Sequence, residues 1–195
     1  MNFPSQTLSS LHLITPDPGD DNEADRFLYQ LEKSLINGIR LVQFRAKSLE
    51  PATYKKLAIK VMACCHQYDA TLLLNADPEL VYELNADGVH LDGTRLAAYQ
   101  RRPLDSGKLI SAACHSLEQL KKAEMLGVDF VTLSPVLHTA SHLEAEPLGW
   151  DKLRQLVKET NLPVYALGGM NAQLLNCAQK NGAYGVAGIS SFWGV

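Results

Sequence analysis

Short apolar runs alternate along the chain with longer stretches whose apolar residues recur at helical spacing, the pattern of β-α units feeding a parallel sheet. Eight runs read as strands: 11–15, 40–45, 71–75, 88–91, 109–114, 130–134, 164–168 and 185–189. Their starts recur roughly every 25 residues, the rhythm of an α/β fold closed as a (β/α)8 TIM barrel. Between them, 23–37, 51–68, 78–84, 95–101, 117–126, 150–159 and 172–181 read as helices, the third and fourth of them short.

The ends of these helices carry their own signals. Ser116 followed by Gln119 has the capping-box form, Asp77 stands as a cap before Pro78, and Asn171 caps the seventh helix. Gly38, Gly127 and Gly182 suit the left-handed residue that ends a helix. After Ile189 only 190–195 remain, so the last helix is reduced or missing, with Phe192 and Trp193 filling its place. An open flank there would favour a homodimer. A doubly wound sheet competes with the barrel, but its G-x-G-x-x-G turn is absent from 16–25. The expectation is one domain over 1–195.

Composition narrows the partner. A chain that is 46% hydrophobic and 20% charged can bury a core of its own. A net charge of -3 leaves no basic field for nucleic acid, which favours a small molecule. No apolar run approaches the ~20 residues of a membrane span, and Met1 to Ser10 lacks a signal core, so the expectation is a cytoplasmic protein without a membrane partner. Cys64, Cys65, Cys114 and Cys177 have no paired metal-ligand spacing and read as reduced thiols.

In a barrel, chemistry sits where strands end and β-α loops begin. The second strand ends in Val42-Gln43-Phe44-Arg45-Ala46-Lys47, with Gln43, Arg45 and Lys47 on one side. Two cations there suit a phosphate or diphosphate, or else Arg45 pairs with a neighbouring carboxylate at a solvated strand end. Asn75 at the third strand can hydrogen-bond a heterocycle. His115, after the fifth strand, is either an acid-base group or a histidine held by a backbone carbonyl. His90, His138 and His142 lie near the fourth and sixth strands, at spacings that match no metal motif. The long loop after the sixth strand can act as a lid. Gly168-Gly169 and Gly185-Val186-Ala187-Gly188-Ile189-Ser190 place glycines at two adjacent strand ends, where loop amides of Gly169, Gly188, Ile189 and Ser190 can bind phosphate.

These segments, together with Ala86-Asp87-Gly88-Val89-His90-Leu91, Cys114-His115-Ser116, Ser134-Pro135-Val136 and Ala166-Leu167-Gly168-Gly169-Met170, resemble the thiamin-phosphate synthase family and its thiazole tautomerase relatives over nearly the whole chain. The likeness is nearest to the synthase-like domain that some bacteria carry behind a Nudix hydrolase domain, which makes a Nudix hydrolase an expected partner. Synthases of this kind join an aminopyrimidine methyl diphosphate to a thiazole phosphate and expel diphosphate, helped by Mg2+ on carboxylates. The resemblance implies that Gln43, Arg45, Lys47 and Asn75 face the pyrimidine diphosphate, and that Thr139, Gly169 and Ser190 face the thiazole phosphate.

The chain departs from that pattern at four positions. Ala76 and Arg95 stand where the metal aspartates are expected, His142 where a lysine is expected and Ala113 where a serine is expected. Mg2+ needs hard oxygen ligands, and Asp77 and Asp92 are the carboxylates near enough to substitute. The tautomerase relatives also lack the metal pair and keep a histidine before serine at the fifth strand. The residues therefore favour a thiazole phosphate isomerisation in which His115 moves a proton. The coupling reaction, with Mg2+ as its cofactor, and a non-catalytic binder of a thiamin precursor are the alternatives.

Overall fold

The computed structural model describes residues 8–19, 23–139 and 146–195. Eight parallel strands close into a barrel in chain order. They are β1 (Leu11–Ile14), β2 (Leu41–Phe44), β3 (Thr71–Leu74), β4 (Gly88–Leu91), β5 (Leu109–Cys114), β6 (Phe130–Leu133), β7 (Val164–Leu167) and β8 (Gly185–Gly188). Closure comes from β8 pairing with β1, with His12 opposite Ala187. Several strands stop one residue short of the apolar run, leaving Thr15, Arg45, Asn75, Ser134, Gly168 and Ile189 at the barrel mouth. Three of these still extend the ladder by one bond, from Thr15 N–H to the Gln43 carbonyl and from Asn75 N–H to that of Phe44, each at 3.0 Å, and from Ser134 N–H to that of Cys114 at 3.2 Å.

Strand alternation explains the two cores. Inward residues Ile14, Leu41, Leu73, Phe130, Tyr165 and Ala187 fill the barrel. Outward ones such as Val42, Phe44, Leu72, Val89, Ile110, Val131 and Val186 pack beneath the helices. Those helices are α1 (Ala24–Ile36), α2 (Pro51–Gln67), α3 (Glu79–Leu84), α4 (Gly93–Ala98), α5 (Leu117–Leu126), α6 (Gly149–Val157) and α7 (Leu175–Lys180), the last preceded by a 3-10 turn over Ala172–Leu174. Among the described residues, no helix is long and apolar enough to cross a membrane.

Caps built from neighbouring residues form as the sequence predicts. Ser116 Oγ accepts from Gln119 N–H at 3.3 Å, and Asn171 Oδ1 accepts from Leu174 N–H at 3.1 Å. The Asp77 cap does not form: α3 begins at Glu79 after Pro78, and the Asp77 carboxylate turns to Arg95 instead. The fourth helix starts at Gly93, two residues before the expected Arg95, because Asp92 caps it by accepting from Arg95 N–H at 3.0 Å. Beyond β8 the chain makes a turn. Phe192 is buried there, the Trp193 ring lies 4.7 Å from that of Phe27, and Gly194 N–H donates to Ser34 Oγ at 2.9 Å. The place of an eighth helix is thus filled by the tail.

Candidate functional site

Two cavities open at the mouth, on opposite sides by strand order. The smaller, about 350 Å³, lies at the ends of β6, β7 and β8 and is lined by Ser134, Pro135, His138, Thr139, Leu167, Gly168, Gly169, Met170, Asn171, Ala187, Gly188, Ile189, Ser190 and Ser191. The larger, about 540 Å³, lies at the ends of β2, β3 and β4, with Lys47, Tyr54, Lys55, Asn75, Ala76, Asp77, Asp92 and Arg95 in its wall.

The smaller cavity is a backbone construction. Gly168 and Gly169 have φ of +98° and +66°. A Cβ on Gly169 would lie 2.7 Å from the His138 carbonyl oxygen, and one on Gly168 would lie 2.9 Å from Pro135 Cα. The pair lets the loop after β7 press against the loop after β6, where Val136 and Leu137 N–H groups donate to the Leu167 and Gly168 carbonyls at 2.8 and 3.1 Å. Ser191 Oγ donates to the Met170 carbonyl at 2.7 Å and ties the last two loops together. Among the described residues, the N–H groups of Gly169 and Ser190 have no partner in the fold. Two unpaired amide donors on residues that line one cavity suit an anion. The lid expectation and His142 fall partly or wholly on 140–145, outside the described residues; Leu148 and Gly149 N–H groups close the loop's base on the Pro135 and Val136 carbonyls.

The larger cavity is built from charged side chains. Arg95 Nε donates to Asp77 Oδ1 at 2.8 Å, and its Nη1 donates to Asp92 Oδ2 at 2.9 Å while reaching toward Asn75 Oδ1 at 3.5 Å. Both carboxylates that could replace the absent metal aspartates are therefore held by a guanidinium, and the cation between them is part of the chain. The donor set does not fit a Mg2+ ion, which needs those oxygens free. Of the three histidines near the fourth and sixth strands, His90 lies buried in the barrel, His138 lines the smaller cavity, and His142 lies outside the described residues.

The remaining residues divide unevenly between the cavities. Lys47 and Asn75 line the larger one, while Thr139, Gly169, Gly188, Ile189 and Ser190 line the smaller one. Arg45 lines neither, and its backbone is clasped by Thr15, whose Oγ1 accepts from Arg45 N–H at 3.0 Å and donates to the Arg45 carbonyl at 3.1 Å. Asp17 similarly accepts from the Ser48 N–H at 3.1 Å, so Thr15 and Asp17 together shape the loop after β2. His115 is exposed and lines neither cavity. Its Nδ1 lies 2.8 Å from the Ser134 carbonyl, which makes Nδ1 the protonated nitrogen of the neutral ring and Nε2 the basic one.

Beneath the mouth lies a polar floor, of which sequence reasoning named Gln43 and His90 but missed His12 and Thr132. Gln43 is buried with Oε1 unpartnered, as are Thr132 Oγ1 and both ring nitrogens of His12. His12 sits edge-on to Phe130 and Tyr165, and burial followed by the nearby His90 pushes its pKa down to about 3. His90 is bonded to Ser111 Oγ at 2.8 Å, and burial lowers its pKa to about 4. Inward alternation on β1 and β4 is the signal that could have placed both rings inside the barrel.

Comparison with known proteins places this geometry. A sequence profile described as thiamine monophosphate synthase matches residues 11–192. The chain is similar to a protein of Aquifex aeolicus (strain VF5) described as a candidate thiamine-phosphate synthase 2, at 42% identity over 86% of this chain and 90% of that protein. It is similar to the thiamine-phosphate synthase of Streptococcus suis (strain 98HAH33), at 36% identity over 85% of this chain and 75% of that protein. Among solved structures, the thiamine phosphate pyrophosphorylase of Pyrococcus furiosus superposes with a TM-score of 0.76 at 25% identity, covering 93% of this chain and 85% of its own.

Proposed function

Since the chain belongs to the thiamine monophosphate synthase family, we propose that it is a thiamin-biosynthesis enzyme that joins a pyrimidine methyl diphosphate to a thiazole phosphate. The observation that carries this reading is the pair of cavities on opposite sides of one barrel mouth, one lined by glycine-loop amides and the other by fixed cations. Names of relatives favour coupling over the isomerisation that the residues alone suggested.

In this reading the thiazole phosphate sits against Gly169 and Gly188 to Ser190, with Thr139 beside it. The diphosphate lies toward Lys47, Asn75 and Arg95, and the pyrimidine ring stands over Gln43, whose unpartnered Oε1 accepts an amino N–H. The thiazole nitrogen forms its bond to the pyrimidine methylene as the carbon–oxygen bond to diphosphate breaks, and the electron pair leaves with diphosphate. The chain contributes orientation and charge stabilisation of the leaving group. No step is routed through a metal, because Arg95 holds the carboxylates that would bind it.

A second reading rests on His115. Its Nδ1 contact with the Ser134 carbonyl leaves Nε2 as the basic nitrogen, which suits a proton transfer on a thiazole. Incubation with both substrates tests the two: thiamin phosphate and diphosphate should appear in equal amounts. Isomerised thiazole phosphate without coupling would install the second reading, and tight binding of both substrates without any product would make the protein a binder.

A further inference from the structure

We propose that the Arg95 guanidinium is the resident cation of the larger cavity, so that a diphosphate binds there without a divalent ion and does so by displacing Asp77. The inference rests on the reading above only in assigning a diphosphate to this cavity.

The two carboxylates around Arg95 are not equivalent. Asp92 is fixed at two points: it caps α4 by accepting from Arg95 N–H at 3.0 Å and it accepts from Nη1 at 2.9 Å, with its side chain 31% exposed. Asp77 has a single bond to Nε, and its side chain is 74% exposed. An exposed ion pair of that kind is worth little and opens readily. The Arg95 side chain is 27% exposed, with its guanidinium anchored by Asp92 on one side and lined up with Asn75 on the same nitrogen. An arginine already held in place loses little side-chain freedom when it binds an anion, and its planar fork matches two phosphate oxygens.

Charge around the mouth supports the exchange. Lys47 lines the same cavity and forms no ion pair among the described residues. Asp92, Arg95 and Lys47 line this one cavity, and the buried His90 feels the charge of all three. Once Asp77 leaves, Arg95 balances Asp92 and an entering anion meets the free charge of Lys47, with an emptied Nε–H to bond. A divalent ion would have to displace the guanidinium from both carboxylates before it could take their oxygens.

Calorimetric titration of inorganic diphosphate into the purified protein tests this, once with a chelator and once with Mg2+. The expected affinities agree within about threefold, since the anion's own cation is in the chain. Arg95→Ala should weaken binding by roughly 10-fold or more, and Arg95→Lys by less, as expected for losing a charge-assisted bond. Asp77→Asn, a change on an exposed side chain, should tighten binding by about 2- to 5-fold by removing the competitor. That last sign separates the ideas, because a metal held by Asp77 would make the same variant bind more weakly. Binding that appears only with Mg2+, weakening in Asp77→Asn, or no diphosphate binding at all overturns the proposal. If diphosphate binds through Arg95 and no thiamin phosphate forms, the coupling reading fails and this one stands; coupling that requires Mg2+ and Asp77 does the reverse.

Discussion

The glycine-lined side of the barrel mouth and its charged side are built by different means. At β6, β7 and β8 the backbone does it: two residues with positive φ let neighbouring loops touch, and among the described residues the N–H groups of Gly169 and Ser190, which line the cavity, have no partner in the fold. At β2, β3 and β4 side chains do it, with a guanidinium held between two carboxylates. A backbone site is hard to alter without harming the fold, because the same glycines make the loop contacts. A side-chain site can change its cation by one substitution, which is how Arg95 comes to stand where the family resemblance implies an aspartate. Tolerance to change is therefore expected to differ sharply across one mouth.

The largest expected effect concerns the residue between the two sides. His115→Gln should cut any thiazole isomerisation by roughly 10²- to 10⁴-fold, because an amide cannot shuttle a proton near neutrality, while leaving coupling within about threefold. Side-by-side assays of the two reactions check this; an equal fall in both would make His115 a shared structural element of the mouth.

Gly169→Ala should break the glycine side alone. A Cβ there meets the His138 carbonyl oxygen at 2.7 Å on a backbone with φ of +66°, and the expected destabilisation is about 2–4 kcal/mol. Urea unfolding measures it, and diphosphate affinity on the other side should stay within about twofold in the folded fraction. Unchanged stability would mean that the loops after β6 and β7 do not depend on each other.

Acid should act on both sides together, through the floor they share. His90 is held near a pKa of about 4 and His12 near about 3, mainly by burial, against an ordinary 6.5. The unfolded chain therefore binds more protons below pH 6.5, so stability is full above that pH and falls as pH drops through 4. The expected loss is on the order of 3–5 kcal/mol for one such ring, and His12→Phe should flatten the acid limb of a urea midpoint against pH. A parallel limb in that variant would remove His12 from the account.

Salt gives the smallest contrast. Raising ionic strength from about 0.05 to about 0.5 M should weaken diphosphate binding at the charged side chains of Lys47 and Arg95 several-fold, and thiazole phosphate binding at neutral backbone amides less, as screening between full charges requires. Titrations of each ligand at both salt levels would show it; equal slopes would mean the two sites are not as different as their construction suggests.

What the sequence determined by itself was everything that repeats over short distances. Strand alternation placed the apolar runs to within a residue or two, and the Ser116 and Asn171 caps formed because each joins residues three apart. The glycines at the ends of β7 and β8 and the family's motifs marked one side of the mouth in advance. Contacts between distant residues were decided only when the barrel closed. Asp77 reads as a helix cap from its neighbours, yet packing brings Arg95 to it from 18 residues away, and an ion pair with hydrogen-bond geometry outweighs a cap before a proline. His90 looks like a mouth residue in the chain and lies inside the barrel against Ser111, 21 residues on. His12 drew no notice at all, because what makes it unusual is the set of aromatic rings that strands β6 and β7 place around it. Local pattern fixes which way a side chain points from its own strand, but only the tertiary structure decides what it meets there.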